Sequence, residues 1–538
     1  MKFRATKLAR KARYLTGLSM FLLAACGGNG GDGGLLGGVI DPDDDDLLTW
    51  QSGEYQNAAL YQNRCETPRT GTNPFDDDRP FPDEQGSVAF ENFFLRSWNN
   101  DLYLWYDEVE DRNPNSYTST AQYFNLLKTP ELTPSGRPKD NFHFTQNTED
   151  YLTQTVGGLV FGYGMNVVIT SGAVPRNAFV RDVVPGSPAD LGGVTRGMTL
   201  ISVDGEDFIN GGDVDTLVTG LGPSVVGEAH TFVFRPADSD ENATVTISSA
   251  NIDVVPVKAL RVVNTPTGDV GYIHFNSHIA PAEVGLRDAF QNMLDAGVTD
   301  LVLDMRYNLG GLLFMAGEVA YMVAGDASSN STFYRFAAND KQPAGQEIPF
   351  PDESLGFDTD LLAGGLDLPA LDLSTVYILS TSLTCSASEA VINGLRGIGV
   401  TVVLIGDTTC GKPYGFVPQD NCGTTYFSVQ FEGVNDQGFG EYPDGFSPAN
   451  QPDAPGVIVP GCWVEDDFSR ELNDPEEALF AAALQYREDG SCPAISTSMK
   501  SRAAAKAIAA QKTTTDDNPF TQIGASNSPG LSNAIIQR

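Results

Sequence analysis

Positive charge is scarce in this sequence. Lys and Arg number 33 against 70 Asp and Glu, and the formal net charge is −37 at pH 7. Nucleic acids and anionic lipid surfaces bind proteins through positive charge, so both are excluded as partners. The acidic balance fits an exported protein that stays soluble in salt.

Metal-ligand patterns are missing as well. The chain has 4 His and 7 Cys, and it contains no Cys-x-x-Cys pair and no His/Cys spacing typical of a zinc site. We therefore expect no metal and no organic cofactor. Any chemistry then has to come from the side chains of the chain itself.

Long apolar runs are also scarce. Near the N-terminus, basic residues precede an apolar run over 15–25 that is too short for a good membrane span, a pattern typical of a signal peptide. The Leu23-Ala-Ala-Cys26 end of this run resembles a bacterial lipobox, which implies cleavage before Cys26 and lipidation of its thiol. The alternative is an ordinary signal peptide followed by a chance cysteine.

Gly27-Gly28 follows this cysteine directly. That pair resembles the start of lipoproteins sent on to the outer membrane. We therefore expect a protein of the bacterial cell envelope that faces the periplasm and is held on the outer membrane by an N-terminal lipid, without a spanning helix.

Two stretches in the second half of the chain indicate chemistry. The buried strand predicted over 376–379 leads through small polar residues into a helix over 387–395, so Ser386 lies at the helix N-terminus. Free backbone N–H groups and the positive end of the helix dipole favour an alkoxide or oxyanion there. Lys412 follows a second buried strand, 401–405, and a desolvated lysine can act as the base for a serine. Taken alone, Ser386 is most simply interpreted as a helix cap and Lys412 as a surface lysine.

The exact residues of these two stretches are more specific than either residue type alone. Ser386-Ala-Ser-Glu389 followed by Gly411-Lys412 resembles the signature of the C-terminal processing (tail-specific) proteases, Ser/Lys enzymes of the crotonase-like class that usually carry a PDZ domain. The resemblance implies that Ser386 is the nucleophile and Lys412 the base. Glu389, one helical turn after the serine, either orients the lysine or caps the helix N-terminus.

The chain departs from this family at two positions. Cys410 stands where the family often has Phe, and Phe416 stands where the family often has a Gln that hydrogen-bonds the lysine. The sequence therefore leaves open which residue orients the Lys412 side chain.

The run Asp304-Met-Arg-Tyr-Asn-Leu-Gly-Gly311 resembles another family motif. In the family, a glycine N–H of this turn forms the oxyanion hole with the amide after the serine. The resemblance assigns these roles to Gly310 or Gly311 and to Ala387. Glycine suits a turn whose backbone approaches substrate closely.

Residues 155–252 resemble a PDZ domain, with an unrelated small β domain as the alternative. The Phe161-Gly162-Tyr163-Gly164 run fits a glycine-rich loop whose N–H groups hold a chain terminus. Two further segments, 180–189 and 197–205, follow in the order usual for bacterial PDZ domains, and 214–221 would be the groove helix. The ligand would be the C-terminus of a polypeptide, added as a β-strand.

The cysteines predict disulfides. Six remain after Cys26, and an exported chain with six cysteines has up to three disulfides and fifteen possible pairings. We expect Cys385 to pair with Cys410 or Cys422 and to pin the active-site loops; a reactive Cys385 is the alternative. His274 and His278 supply a competing Ser/His hypothesis, although a lone histidine on a strand is more often a core residue.

The resemblance extends over about 91–488 and predicts an α/β fold with a crotonase-like protease domain, a PDZ domain and a small helical N-terminal region. The expected segments are 1–26 signal peptide, 27–85 Gly- and Asp-rich linker, 86–154 helical region, 155–252 PDZ domain, 253–492 catalytic domain and 493–538 mobile tail. The predicted function is that of a serine endopeptidase acting near the C-termini of loosely folded polypeptides. The alternative is a catalytically silent peptide-binding scaffold. No pattern indicates an oligomeric state.

Three further helices are predicted from the sequence. Apolar residues at helical spacing predict helices over 90–106 and 474–485. Another helix is expected over 501–511, and the charge run Asp41–Asp46 is expected to be part of a solvated linker.

Overall fold

The structure is a computed structural model, and it describes residues 47–76, 78–343 and 345–495. Several predicted features lie outside these ranges: the lipobox with Cys26, the glycine-rich tether, the Asp41–Asp46 charge run and the helix proposed for 501–511. In the part of the chain that is described, no helix is both long and apolar enough to cross a bilayer.

The N-terminal region is built around one largely buried helix. The region contains β1 (Arg64–Cys65), β2 (Glu84–Gln85), α1 (Val88–Leu102), α2 (Thr120–Phe124), β3 (Phe144–Asn147) and α3 (Thr148–Thr155). Aromatic side chains on α1, among them Phe93 and Trp98, pack against Tyr61 and Phe124 in a core of their own. The sequence predicted a helix as far as Tyr106. Helix α1 ends at Leu102 instead, because the chain turns extended and the Leu104 N–H donates to the Val429 carbonyl at 2.8 Å.

The region predicted as a PDZ domain folds around a twisted sheet. The region contains β4 (Leu159–Gly162), β5 (Met165–Ser171), β6 (Asn177–Val183), α4 (Pro188–Leu191), β7 (Thr199–Val203), β8 (Glu206–Asp207), α5 (Val214–Leu221), β9 (Ala229–Arg235), β10 (Ala243–Ser248) and β11 (Ala250–Asp253). The strand order is β10-β9-β7-β6-β5, with β8 paired to β7, while β11 pairs with β4. Strand β5 therefore forms one edge of the sheet, and α5 has the bounds predicted for the groove helix.

The largest unit is an α/β layer structure. The first half of this unit contains β12 (Val257–Thr265), β13 (Gly268–Phe275), α6 (Ala282–Ala296), β14 (Asp300–Asp304), α7 (Leu313–Ala324), β15 (Thr332–Ala338), β16 (Glu347–Pro349) and β17 (Thr375–Ser380). The second half contains α8 (Ala387–Gly397), β18 (Thr401–Gly406), β19 (Tyr414–Gly415), β20 (Gln419–Asn421), β21 (Thr424–Phe427), β22 (Phe431–Val434), β23 (Phe446–Pro448), β24 (Val457–Val459), β25 (Gly461–Trp463) and α9 (Ala478–Asp489).

The central sheet of this unit has the order β12-β13-β14-β17-β18-β25. Strand β12 is antiparallel to β13, and the remaining neighbours are parallel. Helices α6, α7 and α8 pack on one face and α9 on the other, so both faces are buried. Burial on both faces explains why these strands are continuous apolar runs in the sequence.

This topology brings the predicted motifs to one edge of the sheet. The segment before Gly310 follows β14, Ser386 follows β17 and Lys412 follows β18. These three strands are parallel neighbours, so the loops that follow them meet at their carboxyl ends, where open α/β sheets place their ligands.

The six cysteines of the described part form three disulfides: Cys65–Cys422, Cys385–Cys410 and Cys462–Cys492. The pairing of Cys385 with Cys410 is one of the two alternatives left by the sequence. Cys422 instead ties the N-terminal region to the turn between β20 and β21.

Helix α9 begins later than its sequence pattern predicted. The amphipathic run suggested a start near Asp474, but the helix starts at Ala478 with Glu477 as its N-cap. The Glu477 carboxylate is fully buried and accepts two hydrogen bonds from Arg306, at 2.9 and 3.0 Å. Arg306, also fully buried, further contacts Asp304 and Asp466, so a charge cluster fixes where the helix enters the fold.

We expect Glu477→Ala to lower the free energy of unfolding by about 3 kcal/mol, because the buried Arg306 guanidinium loses its two-point partner. Urea unfolding followed by tryptophan fluorescence measures this. The matched control is Glu347→Ala, whose partner Arg335 lies 2.6 Å away in an exposed pair and whose loss should cost about 1 kcal/mol or less. Equal small losses in both variants would contradict a stabilising role for the buried cluster.

Candidate active site

Ser386 stands at a strained corner between β17 and α8. Its φ of 55° and ψ of −114° lie in a region that residues with side chains rarely adopt. Residues on both sides of it are fixed to the loop after β14. The Cys385 N–H donates to the Asn308 carbonyl at 3.0 Å, and the Ser388 hydroxyl donates to the same carbonyl at 2.9 Å. The serine side chain is left half-exposed at the helix N-terminus.

A single carboxylate holds the serine and lysine loops together. Glu389 is fully buried in the first turn of α8, and its Oε2 accepts the Ser386 N–H at 3.0 Å and the Lys412 N–H at 2.8 Å. Its Oε1 accepts the Gly411 N–H at 2.9 Å and the Thr409 hydroxyl at 2.6 Å. The backbone nitrogens of Ser386 and Lys412 therefore lie within two hydrogen-bond lengths of each other.

This arrangement answers part of the question that the sequence left about Glu389. Its carboxylate accepts the N–H of the helix N-cap residue, which is the expected capping role, and it also accepts the Lys412 backbone N–H. Within the described residues it makes no hydrogen bond to the Lys412 amine, so its role in orienting that side chain stays a prediction. Burial raises the pKa of Glu389, and the donors around it partly offset that rise.

A disulfide joins the same two loops covalently. Cys385 directly precedes the serine, Cys410 comes two residues before the lysine, and their Cα atoms are 5.1 Å apart. Cys385, Glu389 and Cys410 come close enough together to hold a metal ion. The two sulfurs are bonded to each other, however, so they offer no thiolate to a cation.

Lys412 lies in apolar surroundings. Its Nζ is 4.1 Å from the centre of the Phe416 ring and 5.1 Å from that of Phe142. Desolvation lowers the pKa of Lys412 to about 8, and the nearby carboxylates of Asp140 and Glu389 act in the opposite direction. Within the described residues, no hydrogen bond joins Lys412 Nζ to Ser386 Oγ.

In the glycine pair after β14, Gly310 packs against the serine and Gly311 packs against His278. A Cβ atom on Gly310 would lie 2.8 Å from both Ser386 Cβ and the Ala387 nitrogen, and one on Gly311 would lie 2.3 Å from the His278 carbonyl oxygen. Their φ values of 95° and 133° also favour glycine. No side chain fits at either position.

The two glycines differ in their amides. The Gly310 N–H donates to Asn308 Oδ1 at 3.0 Å. In the described part of the chain, the N–H groups of Gly311 and Ala387 have no hydrogen-bond partner. Of the two glycines that the sequence offered for the oxyanion hole, Gly311 is the one with an available donor.

Neither histidine contacts the serine through a hydrogen bond in the described structure. His278 is fully buried, and its Nδ1 lies 3.0 Å from Asn308 Oδ1, so it supports the glycine turn. His274 is buried on β13. Burial lowers the pKa of each imidazole to about 4.

The predicted carboxylate loop connects β4 to β5. Gly162 and Gly164 have φ values of 148° and 81°, and the buried Tyr163 donates its hydroxyl to the Gly220 carbonyl at 2.9 Å. Among the described residues, the N–H groups of Tyr163 and Gly164 have no partner, as expected of a loop that holds an anion. Phe161 lies on β4 opposite Asn251.

Sequence reasoning missed the residues that surround the lysine from the N-terminal region. Asp140 and Phe142 precede Lys412 by some 270 positions, and no local pattern marks them as part of a site. Only Asn308 could have been found earlier, because it lies inside the motif that ends in the glycine pair.

Comparisons with known proteins identify relatives of this chain. Residues 269–420 match the model of Peptidase family S41. The chloroplastic carboxyl-terminal-processing peptidase 1 of Arabidopsis thaliana is 27% identical over 258 residues, which are 47% of this chain and 47% of that protein. The carboxyl-terminal-processing protease of Picosynechococcus sp. is 26% identical over 231 residues, 43% of this chain and 49% of that protein. The chain spans about half the length of the curated relatives it matches.

A solved structure extends the likeness to the fold. A protein from Bacteroides fragilis, described as an S41 protease, superposes with a TM-score of 0.56 at 23% sequence identity, covering 76% of this chain and 100% of that chain. The predicted α/β fold class is thereby confirmed. Residues 269–420 of this chain therefore carry the match to Peptidase family S41, and carboxyl-terminal-processing peptidases are among the proteins it resembles.

Proposed function

We propose that this chain is a serine endopeptidase that cleaves loosely folded proteins or peptides near their C-termini, with Ser386 as nucleophile and Lys412 as base. The observation that carries the proposal is the buried Glu389 carboxylate, which binds the backbone of both residues through one oxygen atom. The substrate class is supported by the relatives, which are named as carboxyl-terminal-processing peptidases.

The proposed reaction proceeds through an acyl-enzyme. Neutral Lys412 Nζ takes the proton of Ser386 Oγ while Oγ attacks the carbonyl carbon of the scissile peptide bond. The N–H groups of Ala387 and Gly311 receive the oxyanion. The intermediate collapses and the leaving amine takes the proton from Lys412. A water molecule then gives a proton to the Lys412 amine as its oxygen attacks the ester carbonyl. When this second intermediate collapses, the C–O bond to Ser386 breaks, Oγ takes the proton back from Lys412 and the carboxylic acid product leaves.

Lys412 must reorient for this chemistry. Its Nζ lies against the Phe416 ring and is not hydrogen-bonded to the serine. Rotation about the side-chain bonds has to bring the amine to Oγ when substrate enters, and catalytic hydrogen bonds are often long before substrate binds.

The PDZ region is proposed to capture the substrate C-terminus. The edge of β5 is the open edge of its sheet, and the N–H groups of Tyr163 and Gly164 lie beside it. Half-buried apolar side chains from β5 and α5, Met165, Val167, Val214 and Val218, would flank a strand added there. These apolar side chains favour an apolar tail with a free carboxylate as the ligand.

Direct contacts connect the PDZ region to the segment that leads into the glycine pair. Arg196 donates to the Tyr307 hydroxyl at 2.9 Å and to Asp466 Oδ1 at 3.0 Å, and the Arg181 guanidinium lies 4.6 Å from the Tyr307 ring centre. Tyr307 precedes Gly310 by three residues. These contacts support delivery of a captured tail to the serine.

A second candidate function is a catalytically silent peptide-binding scaffold. The absence of a hydrogen bond between Ser386 and Lys412 within the described residues favours it, as does the missing glutamine at position 416. The PDZ region alone would then carry the function. The two candidates differ in turnover, which a Ser386→Ala control separates.

The protein is also proposed to act at the bacterial outer membrane, facing the periplasm and held by lipid on Cys26. Support comes from the lipobox-like sequence before this cysteine and from the three disulfides, which belong to an oxidising compartment.

The dyad predicts a pH profile. Because the pKa of Lys412 is about 8, roughly a tenth of the enzyme carries the neutral amine at pH 7, and kcat/KM should rise with pH through about 8. Hydrolysis of an unfolded protein substrate across pH 5–10 measures this. If His274 or His278 were the base, with a pKa near 4, activity would already be complete at pH 6.

Matched variants complete the dyad test. Ser386→Ala and Lys412→Ala should each remove nearly all turnover, because the two residues act as one unit. Lys341→Ala is the control: Lys341 also contacts an aromatic ring, Tyr106, and burial also lowers its pKa, but it lies outside the site. Near-normal turnover in Lys412→Ala would show that the base is misassigned.

The capture step predicts a preference for free chain ends. A peptide with an α-carboxylate should bind more tightly than its C-terminal amide, because the 161–164 loop offers N–H donors to an anion. Isothermal titration with Ser386→Ala protein measures both affinities without cleavage. Equal affinities would exclude this mode of capture.

The anchor predicts the fate of a cysteine variant. Cys26→Ser should accumulate as uncleaved precursor or lose its membrane association, since the thiol is the lipid acceptor. Membrane fractionation and mass spectrometry of the mature N-terminus measure both outcomes. A wild-type protein that is wholly soluble, with an unmodified Cys26, would contradict the proposal.

A further inference from the structure

One stretch of the N-terminal region lies over the lysine loop. We call residues 129–144 the cover segment. The Arg137 guanidinium donates to the Cys410 carbonyl at 3.0 Å, two residues before Lys412. Thr133 Oγ1 donates to Asp444 Oδ1 at 2.9 Å, so the segment is tied to the catalytic unit at a second point.

The cover segment fixes the position of Phe142. Asp140 is buried and accepts the Phe142 N–H at 2.9 Å and the Tyr103 hydroxyl at 2.7 Å. Directly after Phe142, β3 pairs with β21 of the catalytic unit. The ring of Phe142 is therefore held between two anchored points of the backbone.

Phe142 and Phe416 together form the apolar surroundings of Lys412 Nζ, with ring centres at 5.1 and 4.1 Å. In the described structure, Nζ has no hydrogen-bond partner, so these rings rather than a polar group define where it lies. Phe416 occupies the fourth position after the lysine, where a hydrogen-bonding glutamine would otherwise be expected.

Opposing effects act on the charge of this lysine. The rings replace part of the water around Nζ, which disfavours the ammonium form. Two carboxylates favour it: Asp140 on the cover segment and Glu389 on α8. The faces of the rings also attract a cation, but desolvation is the largest effect and leaves the pKa at about 8.

We propose that the cover segment is part of the active site, and that Phe142, together with Phe416, positions the Lys412 amine and shields it from water. This inference rests on the proposed Ser386/Lys412 function and goes beyond it, because it makes the N-terminal region a component of the catalytic machinery. Phe142 and Phe416 are positioning residues, since they act through the lysine.

The test compares pH profiles of kcat/KM for full-length variants. Phe142→Ala and Phe416→Ala admit water to Nζ, so the midpoint of the rising limb should move up by about one pH unit and activity at pH 7 should fall about tenfold. Phe416→Leu keeps the site apolar and should shift the midpoint much less. Asp140→Asn removes a carboxylate near the amine and should move the midpoint down.

Phe81→Ala is the matched control, because the Phe81 ring lies 4.6 Å from the guanidinium of Arg69, a different cation of the N-terminal region. This variant should keep the wild-type midpoint. A loss of activity in the Phe142 and Phe416 variants that is equal at every pH would overturn the proposal, because it indicates loss of structure only. Unchanged profiles would overturn it as well.

The outcomes separate this proposal from the proposed function. If Ser386→Ala is inactive but the phenylalanine variants keep the wild-type midpoint, the peptidase assignment stands and the role of the cover segment is wrong. If Ser386→Ala is as active as wild type, the peptidase assignment itself fails. Should Phe142→Ala not fold by circular dichroism, the opposite shifts expected of Phe416→Ala and Asp140→Asn still decide the case.

Discussion

The active-site region depends on one buried carboxylate. A charged group out of water is costly unless hydrogen bonds replace its hydration, and Glu389 obtains four donors, three of them backbone N–H groups. These donors come from the strained corner at Ser386 and from the loop that leads to Lys412. Loss of the Glu389 carboxylate would therefore leave donors without partners in both loops at once. For this reason Glu389 stabilises the serine corner and the lysine loop as well as the start of its own helix.

The strain at Ser386 is held by several constraints that act on the same few residues. Its unfavourable φ is compensated by the Glu389 hydrogen bond, by the Cys385–Cys410 disulfide and by the contacts of the preceding turn with Asn308. Asn308 in turn receives the Gly310 N–H and lies beside His278. The serine corner and the glycine turn are thus parts of one hydrogen-bonded assembly at the carboxyl ends of three neighbouring strands.

Much of this could be predicted from the sequence, because the elements at the site have strong local signals. The apolar runs before Ser386 and Lys412 became buried parallel strands, and α5 has the predicted bounds. The predictions that failed were decided by distant contacts. Helix α1 stops at Leu102 because Leu104 pairs with Val429, and α9 starts at Ala478 because Glu477 is bound to Arg306.

The surroundings of the base could not be predicted for the same reason. Phe142 reaches Lys412 only because β3 adds to β21 and because Cys65–Cys422 ties the N-terminal region to the neighbouring turn. Contacts between residues that are so far apart along the chain leave no periodic pattern in the sequence of either segment. They also have a physical consequence: the apolar environment that keeps the amine partly neutral is complete only after residues 47–155 have folded onto the catalytic unit. Docking of the N-terminal region on the catalytic unit is therefore a requirement for the complete surroundings of Lys412.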